Sequence, residues 1–126
     1  MDHPYPFEHE RLDAYRVARE FLAATARILA AMPRGEAAVA DQLRRAADSA
    51  LLNLGEGVAR TSPRDKARCY DIARGSAAES AVALDVLSIR GLATRGDLQV
   101  ARSLAYRLVC LIGGLARSAR RRGAAG

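Results

Sequence analysis

Two carboxylates (Glu56 and Glu79), two histidines (His3 and His9), two thiols (Cys69 and Cys110) and the hydroxyls of Ser49 and Ser76 are the side chains whose types could do chemistry in this 126-residue chain. Paired carboxylates do acid and base work when their environments push their pKa values apart, and a serine or cysteine becomes a nucleophile when a histidine lies within reach. The spacing favours neither. Both histidines fall in the first nine residues, far from either thiol or hydroxyl, and neither stands in the Glu-x-x-His arrangement that di-iron bundles require. His3, Glu8, His9 and Glu10 are spaced to hold a metal adventitiously, but a solvated helix start explains them better. Glu56 and Glu79 read as structural, salt-bridged to Arg44, Arg45 or Arg74 and hydrogen-bonded to Asn53. "GEG" at 55–57 follows no strand and is no phosphate cradle. The expectation is a protein without catalytic residues, cofactor or metal.

Charge is the stronger signal. The formal net charge is +6, from 20 basic and 14 acidic residues, and Lys66 is the only lysine. No acid follows Asp97, whereas Arg102, Arg107, Arg117, Arg120, Arg121 and Arg122 do, so the whole excess sits on the last quarter. Arginine's planar fork suits phosphate better than a lysine point charge.

The elements that must position these groups are helices. Half the residues are hydrophobic and 5% aromatic, with no Trp and four Pro, which favours an all-α protein, and the length suits one domain. Apolar residues recur every three or four positions in four stretches. Leu12, Tyr15, Ala18, Leu22, Thr25 and Leu29 mark a helix over 9–31; Val39, Leu43, Ala46, Ala50, Leu54 and Val58 mark one over 36–59. Tyr70, Ala73, Ala77, Ala81, Leu84 and Leu87 mark a third over 63–90, started by "SPRD" with Ser62 as cap and Pro63 in the first turn. Leu98, Ala101, Leu104, Leu108, Leu111 and Leu115 mark a fourth over 96–120, and 121–126 is expected to fray. No apolar run approaches the roughly 20 residues of a membrane span, and "MDHPYPFEHE" lacks the basic-then-apolar order of a signal peptide, so a cytoplasmic protein is expected. On neighbouring antiparallel helices the cysteines would differ in height by about 10 Å, too far for a disulfide, so both are expected as buried free thiols.

Short loops between helices of this length imply an antiparallel up-down-up-down four-helix bundle. That topology brings the connection carrying Arg60, Arg64, Lys66 and Arg68 to the same end as Arg117, Arg120, Arg121 and Arg122, forming one positive pole. It also pairs the second and third helices so that residue numbers summing to about 123 share a height. Asn53 then meets Tyr70, and Arg44 meets Glu79. Asn53, Glu56 and Tyr70 would satisfy one another's hydrogen bonds there, and Gly55, Gly57 and Gly75 would let the backbones approach. Tyr15, Tyr70 and Tyr106 have core spacing.

"FEHERLDAYRVAREF", "DQLRRAADSALLNLGEGVAR" and "YDIARGSAAES" resemble the bacterial four-helix-bundle family that includes the intervening-sequence proteins encoded within 23S ribosomal RNA genes. The likeness covers residues 7 to about 87. It rests on Phe7 and Glu8, on Arg44, Arg45 and Ala46, on Asn53 with Glu56 and Gly57, and on Tyr70, Gly75, Ser76 and Glu79. The chain departs from the family at Leu51, where a proline is common, and at Tyr15, where a tryptophan is usual. The resemblance implies a left-handed bundle that assembles as a homopentamer. A related branch, the accessory proteins of diversity-generating retroelements, binds a reverse transcriptase and nucleic acid. With the basic pole, these features lead to the expectation of a non-catalytic module that contacts an RNA or DNA backbone. The alternative is a protein-interaction scaffold, with a partner such as a reverse transcriptase and no nucleic-acid binding of its own.

Overall fold

The computed structural model describes residues 7–125; His3, one of the four residues with metal-like spacing, lies outside them. A 3-10 turn, Glu8–Arg11, leads into α1 (Asp13–Ala30), followed by α2 (Ala37–Ala59), α3 (Pro63–Arg90) and α4 (Arg95–Ala125). There is no strand among the described residues. The expected first helix is therefore split. Leu12 is extended (φ −83°, ψ 136°), and the Glu10 carboxylate accepts the Phe7 N–H at 3.1 Å, closing the turn as a separate unit. The His9 ring lies between Phe7 and Tyr15, with centroids 5.6 and 4.6 Å away, and packs the turn onto α1.

Local chemistry sets the other boundaries. The Asp65 N–H donates to Ser62 Oγ at 3.1 Å and Pro63 occupies the first turn, so α3 starts where "SPRD" places it. It ends at Gly91, whose φ of +67° is a left-handed conformation that glycine adopts without a side-chain clash. Thr94 Oγ1 caps the Asp97 N–H at 3.1 Å, so α4 begins one residue earlier than the spacing suggested. It also continues to Ala125 rather than fraying beyond Arg120. Ala119 is fully buried, Arg120 pairs with Asp71 of α3, and Gly123 packs over Pro63.

Neighbouring helices run in opposite directions. Ser49 of α2 bonds Ser76 of α3, while Gly57, further along α2, meets Tyr70, earlier in α3. Asp71 and Asp85 of α3 likewise meet Arg120 and Arg102 of α4. The end of α1, at Ile28 and Ala31, lies beside the start of α4. α3 is the most extensively packed helix, held between α2 and α4.

The expected stripe of α2 is buried in full, and that of α3 is buried except for half-buried Ala81. In α1 the expected Ala18 and Thr25 are buried, but the stripe is rotated to take in Ala14, Val17, Phe21, Ala24 and Ile28, while Tyr15, Leu22 and Leu29 lie at the margin. In α4, Ala105, Ile112, Ala116 and Ala119 are buried, and Leu104, Leu111 and Leu115 are marginal. Contrary to expectation, α4 is by length and composition apolar enough to cross a membrane, with a mean hydropathy of 1.3 over 18 residues. Leu98, Ala101, Ala105, Leu108 and Ile112 bury its apolar stripe within the bundle, as a core helix does. Tyr106 is 73% exposed rather than core, and Cys110 is exposed; Cys69 is buried, and both thiols are free.

The glycines of α2 and α3 divide sharply. A Cβ on Gly57 would lie 2.7 Å from Cε1 of Tyr70 and 3.1 Å from Cβ of Cys69, whereas Gly55 and Gly75 have nothing within 4 Å. Only Gly57 mediates a close approach. Gly57→Ala should therefore destabilise the fold by about 1–3 kcal/mol by overpacking, while Gly55→Ala should stabilise it by about 0.5–1 kcal/mol through helix propensity. Urea unfolding of both variants tests this; shifts of the same sign would remove Gly57 from its role as the contact point.

Candidate nucleic-acid interface

The expected basic residues do converge on one end of the bundle, but they do different jobs there. Arg60 closes α2 and pairs with Glu56 one turn back, which raises its already high pKa. Lys66 is half-buried, its ammonium donating to the carbonyls of Val58 at 2.7 Å and Gly57 at 3.2 Å. It thus satisfies two orphan carbonyls at the end of α2, where a cation also suits the helix dipole. Arg64 and Arg68 of α3 and Arg120 of α4 flank a groove floored by Ala67 and Ala119. Asp71 stands in that groove and pairs with Arg120. Arg121 and Arg122 are exposed on the last turns of α4, held by helix rather than on a frayed tail. Arg117 points elsewhere, folding back along α4 over Gly113 and Gly114.

Of the family-motif residues, Asn53, Gly57, Tyr70 and Ser76 lie in a seam between α2 and α3. Arg44 and Arg45 both reach Asp41, at 2.9 and 3.0 Å, rather than Glu56 or Glu79. Asn53 donates to the Ser49 carbonyl at 2.9 Å and to Ser49 Oγ at 3.1 Å. The hydroxyls of Ser49 and Ser76 share a hydrogen bond of 2.8 Å, and Ser80 Oγ donates to the Ser76 carbonyl at 2.9 Å. The expected mutual bonding of Asn53, Glu56 and Tyr70 does not occur: Glu56 is committed to Arg60 and the Tyr70 ring lies against Gly57. Gly75 and Glu79 are exposed. The polar rung of Ser49, Asn53, Ser76 and Ser80 was missed because the register was drawn from the loop midpoint alone. Helical side chains lean toward the N-terminus. In an antiparallel pair that lean adds about two to the sum of facing residue numbers, which turns 123 into the 125 of Ser49 and Ser76.

Asp71 is outside the expected site, and only the packing of α3 on α4 brings it there; Arg74 lies over Gly113 of α4. On the outer side of the bundle, Ile72, Val82 and Ile89 of α3 and Leu52 of α2 are exposed, Ile89 at 86%. No group of three or more metal-ligating side chains occurs among the described residues.

The model of one family, the 23S rRNA-intervening sequence proteins, matches residues 10–114. The chain belongs to that family. A comparison with curated proteins returns no match. As in the resemblance drawn from the motifs, this intervening-sequence family member is a four-helix all-α protein. The matched stretch ends at Gly114, so Arg117, Arg120, Arg121 and Arg122 lie beyond it.

Tyr70 joins the seam to the pole. Burial raises its pKa above the ordinary 10.0; the nearby charge of Arg122 pulls it down and that of Glu8 pushes it up. A raised folded-state value means that the neutral phenol contributes stability below about pH 10, and this contribution is lost as the pH climbs through the folded value. Wild-type stability should fall more steeply as the pH rises above 10 than that of Tyr70→Phe, which keeps the ring against Gly57. Chemical denaturation across that range tests the assignment; parallel curves would contradict it.

Proposed function

We propose that this protein is a non-catalytic RNA- or DNA-binding module that grips the phosphate backbone through the positive pole of the bundle. The observation that carries this reading is the groove where Arg64 and Arg68 of α3 meet Arg120 of α4, two basic clusters separated by some fifty residues of chain. The net charge of +6 supports it, as does the choice of arginine at every exposed basic position of the pole. Binding is to backbone, where phosphate contacts position a protein without reading sequence. The module acts in the cytoplasm, without cofactor or metal. It assembles as a homopentamer, the state that the family resemblance implies, and each copy repeats the pole, so the phosphate contacts multiply. The exposed Ile72, Val82 and Ile89 supply an apolar face for protein contact. That face also favours a second reading, a scaffold whose partner is another protein such as a reverse transcriptase.

Light scattering of the pure protein should give a mass near five subunits, lowered by the paired substitutions Val82→Glu and Ile89→Glu. A monomeric wild type would reject the ring. Fluorescence anisotropy with a labelled RNA hairpin and a DNA duplex should show log affinity falling linearly with log salt, and each of Arg64→Gln and Arg68→Gln should reduce the slope by about 1. Tight binding of neither nucleic acid at low salt would favour the scaffold.

A further inference from the structure

Gly113 is buried in the middle of α4, yet what covers it is cationic. From the position a Cβ would take, Nη1 of Arg117 lies 3.4 Å away, Nε of Arg74 3.5 Å and Cδ of Arg74 3.7 Å. From the corresponding point on Gly114, Nη2 of Arg117 lies 3.9 Å away. Two guanidinium groups, one from each helix, thus sit over a notch that exists because α4 carries two successive glycines there. Both nitrogens lie so close to one point that they are within about 7 Å of each other.

On either side of the notch the α3–α4 seam pairs an acid with an arginine. Asp71 meets Arg120 on one side of the notch and Asp85 meets Arg102 on the other, at 3.0 Å. Among the described residues, neither Arg74 nor Arg117 has a carboxylate partner. Like charge therefore faces like charge between these two ion pairs, and each fork keeps its donors open. Two donors no further apart than these nitrogens reach the oxygens of one phosphate group through charge-assisted bonds of about 2.8 Å each. The geometry points to Arg74 and Arg117 as a two-armed clamp for one phosphate, seated on Gly113 and Gly114. That the phosphate belongs to a nucleic-acid backbone rests on the function proposed above. On that reading the interface climbs from the pole along α3, since Arg64 and Arg74 are separated by about 15 Å of helix rise, or roughly four phosphates of one strand at 3.4 Å each.

A clamp on one phosphate makes a sharp prediction about the salt slope. Arg74→Gln and Arg117→Gln should each weaken RNA or DNA binding by about tenfold, and the double variant should lower the slope by about 1, because only one phosphate is lost. Gly113→Leu alters no charge but fills the notch, and it should weaken binding to a similar extent while the pole variants keep their own effects. Melting temperatures of all variants are compared with wild type, and anisotropy is run in parallel with a thermal-shift titration of inorganic pyrophosphate against chloride at matched ionic strength. A slope that drops by about 2 in the double variant, or binding untouched by Arg74→Gln and Gly113→Leu, would overturn the clamp and leave the pole standing. No nucleic-acid binding, with a pyrophosphate stabilisation that Arg74→Gln abolishes, would keep the clamp as a site for free phosphate and reject the nucleic-acid function. Indifference to both probes would overturn both.

Discussion

The approach of the Tyr70 ring to the bare backbone of Gly57 governs the end of the bundle on which everything else is built. A side chain on Gly57 would hold α2 and α3 apart where their connection is shortest. With that side chain absent, α3 starts close enough to α2 for Lys66 to reach back to the carbonyls of Gly57 and Val58. The same closeness lets the rung of Ser49, Asn53, Ser76 and Ser80 form further along the seam. Polar groups in that rung answer one another, so a half-buried stretch of serine and asparagine fits within an apolar bundle. The position of α3 then sets the position of α4, and the rungs of Asp71 with Arg120 and Asp85 with Arg102 fix where the arginines of α4 emerge.

α3 has neighbours on two sides and solvent on the third. Its inward face is small, with Ala73, Ala77 and Ala83 fully buried, so neighbouring helices pack near its axis. Its outward face changes character along its length, from Arg64 and Arg68 at the pole to Ile72, Val82 and Ile89 further on. One helix thus presents a charged surface and an apolar surface in succession. The exposed ion pairs of the bundle contribute little to stability; their larger effect is to set which arginines are neutralised internally and which face outward.

The class, the helix count and most boundaries were legible in the sequence because caps and glycine stops are local signals. Ser62 and Pro63 mark one start and Gly91 one end. The stripe of α2 was legible too, because Val39, Leu43, Leu54 and Val58 recur on one side and Leu52 alone of its large apolar residues is exposed. The stripes of α1 and α4 were legible in part, at Ala18, Thr25, Leu98, Ala101 and Leu108; alanine is buried as readily as leucine but weighs less in a periodicity, so Ala105, Ala116 and Ala119 are hidden behind marginal leucines. The meeting of the two basic clusters followed from topology alone. What each cation does at that end was not legible. The capping by Lys66, the pairing of Arg120 and the folding of Arg117 over Gly113 depend on side-chain paths between helices, and no one-dimensional pattern encodes them.

The withdrawal of Lys66 into the end of α2 has a chemical consequence for the pole. This is the only lysine of the chain, and its amine is tied to two carbonyls. Every basic side chain that the pole turns to solvent is therefore a guanidinium, a planar fork of five donors. Acetylation, the usual chemistry for erasing positive charge from a surface, has no exposed lysine to act on there. The pole keeps its charge against that modification and answers instead to the surrounding ions.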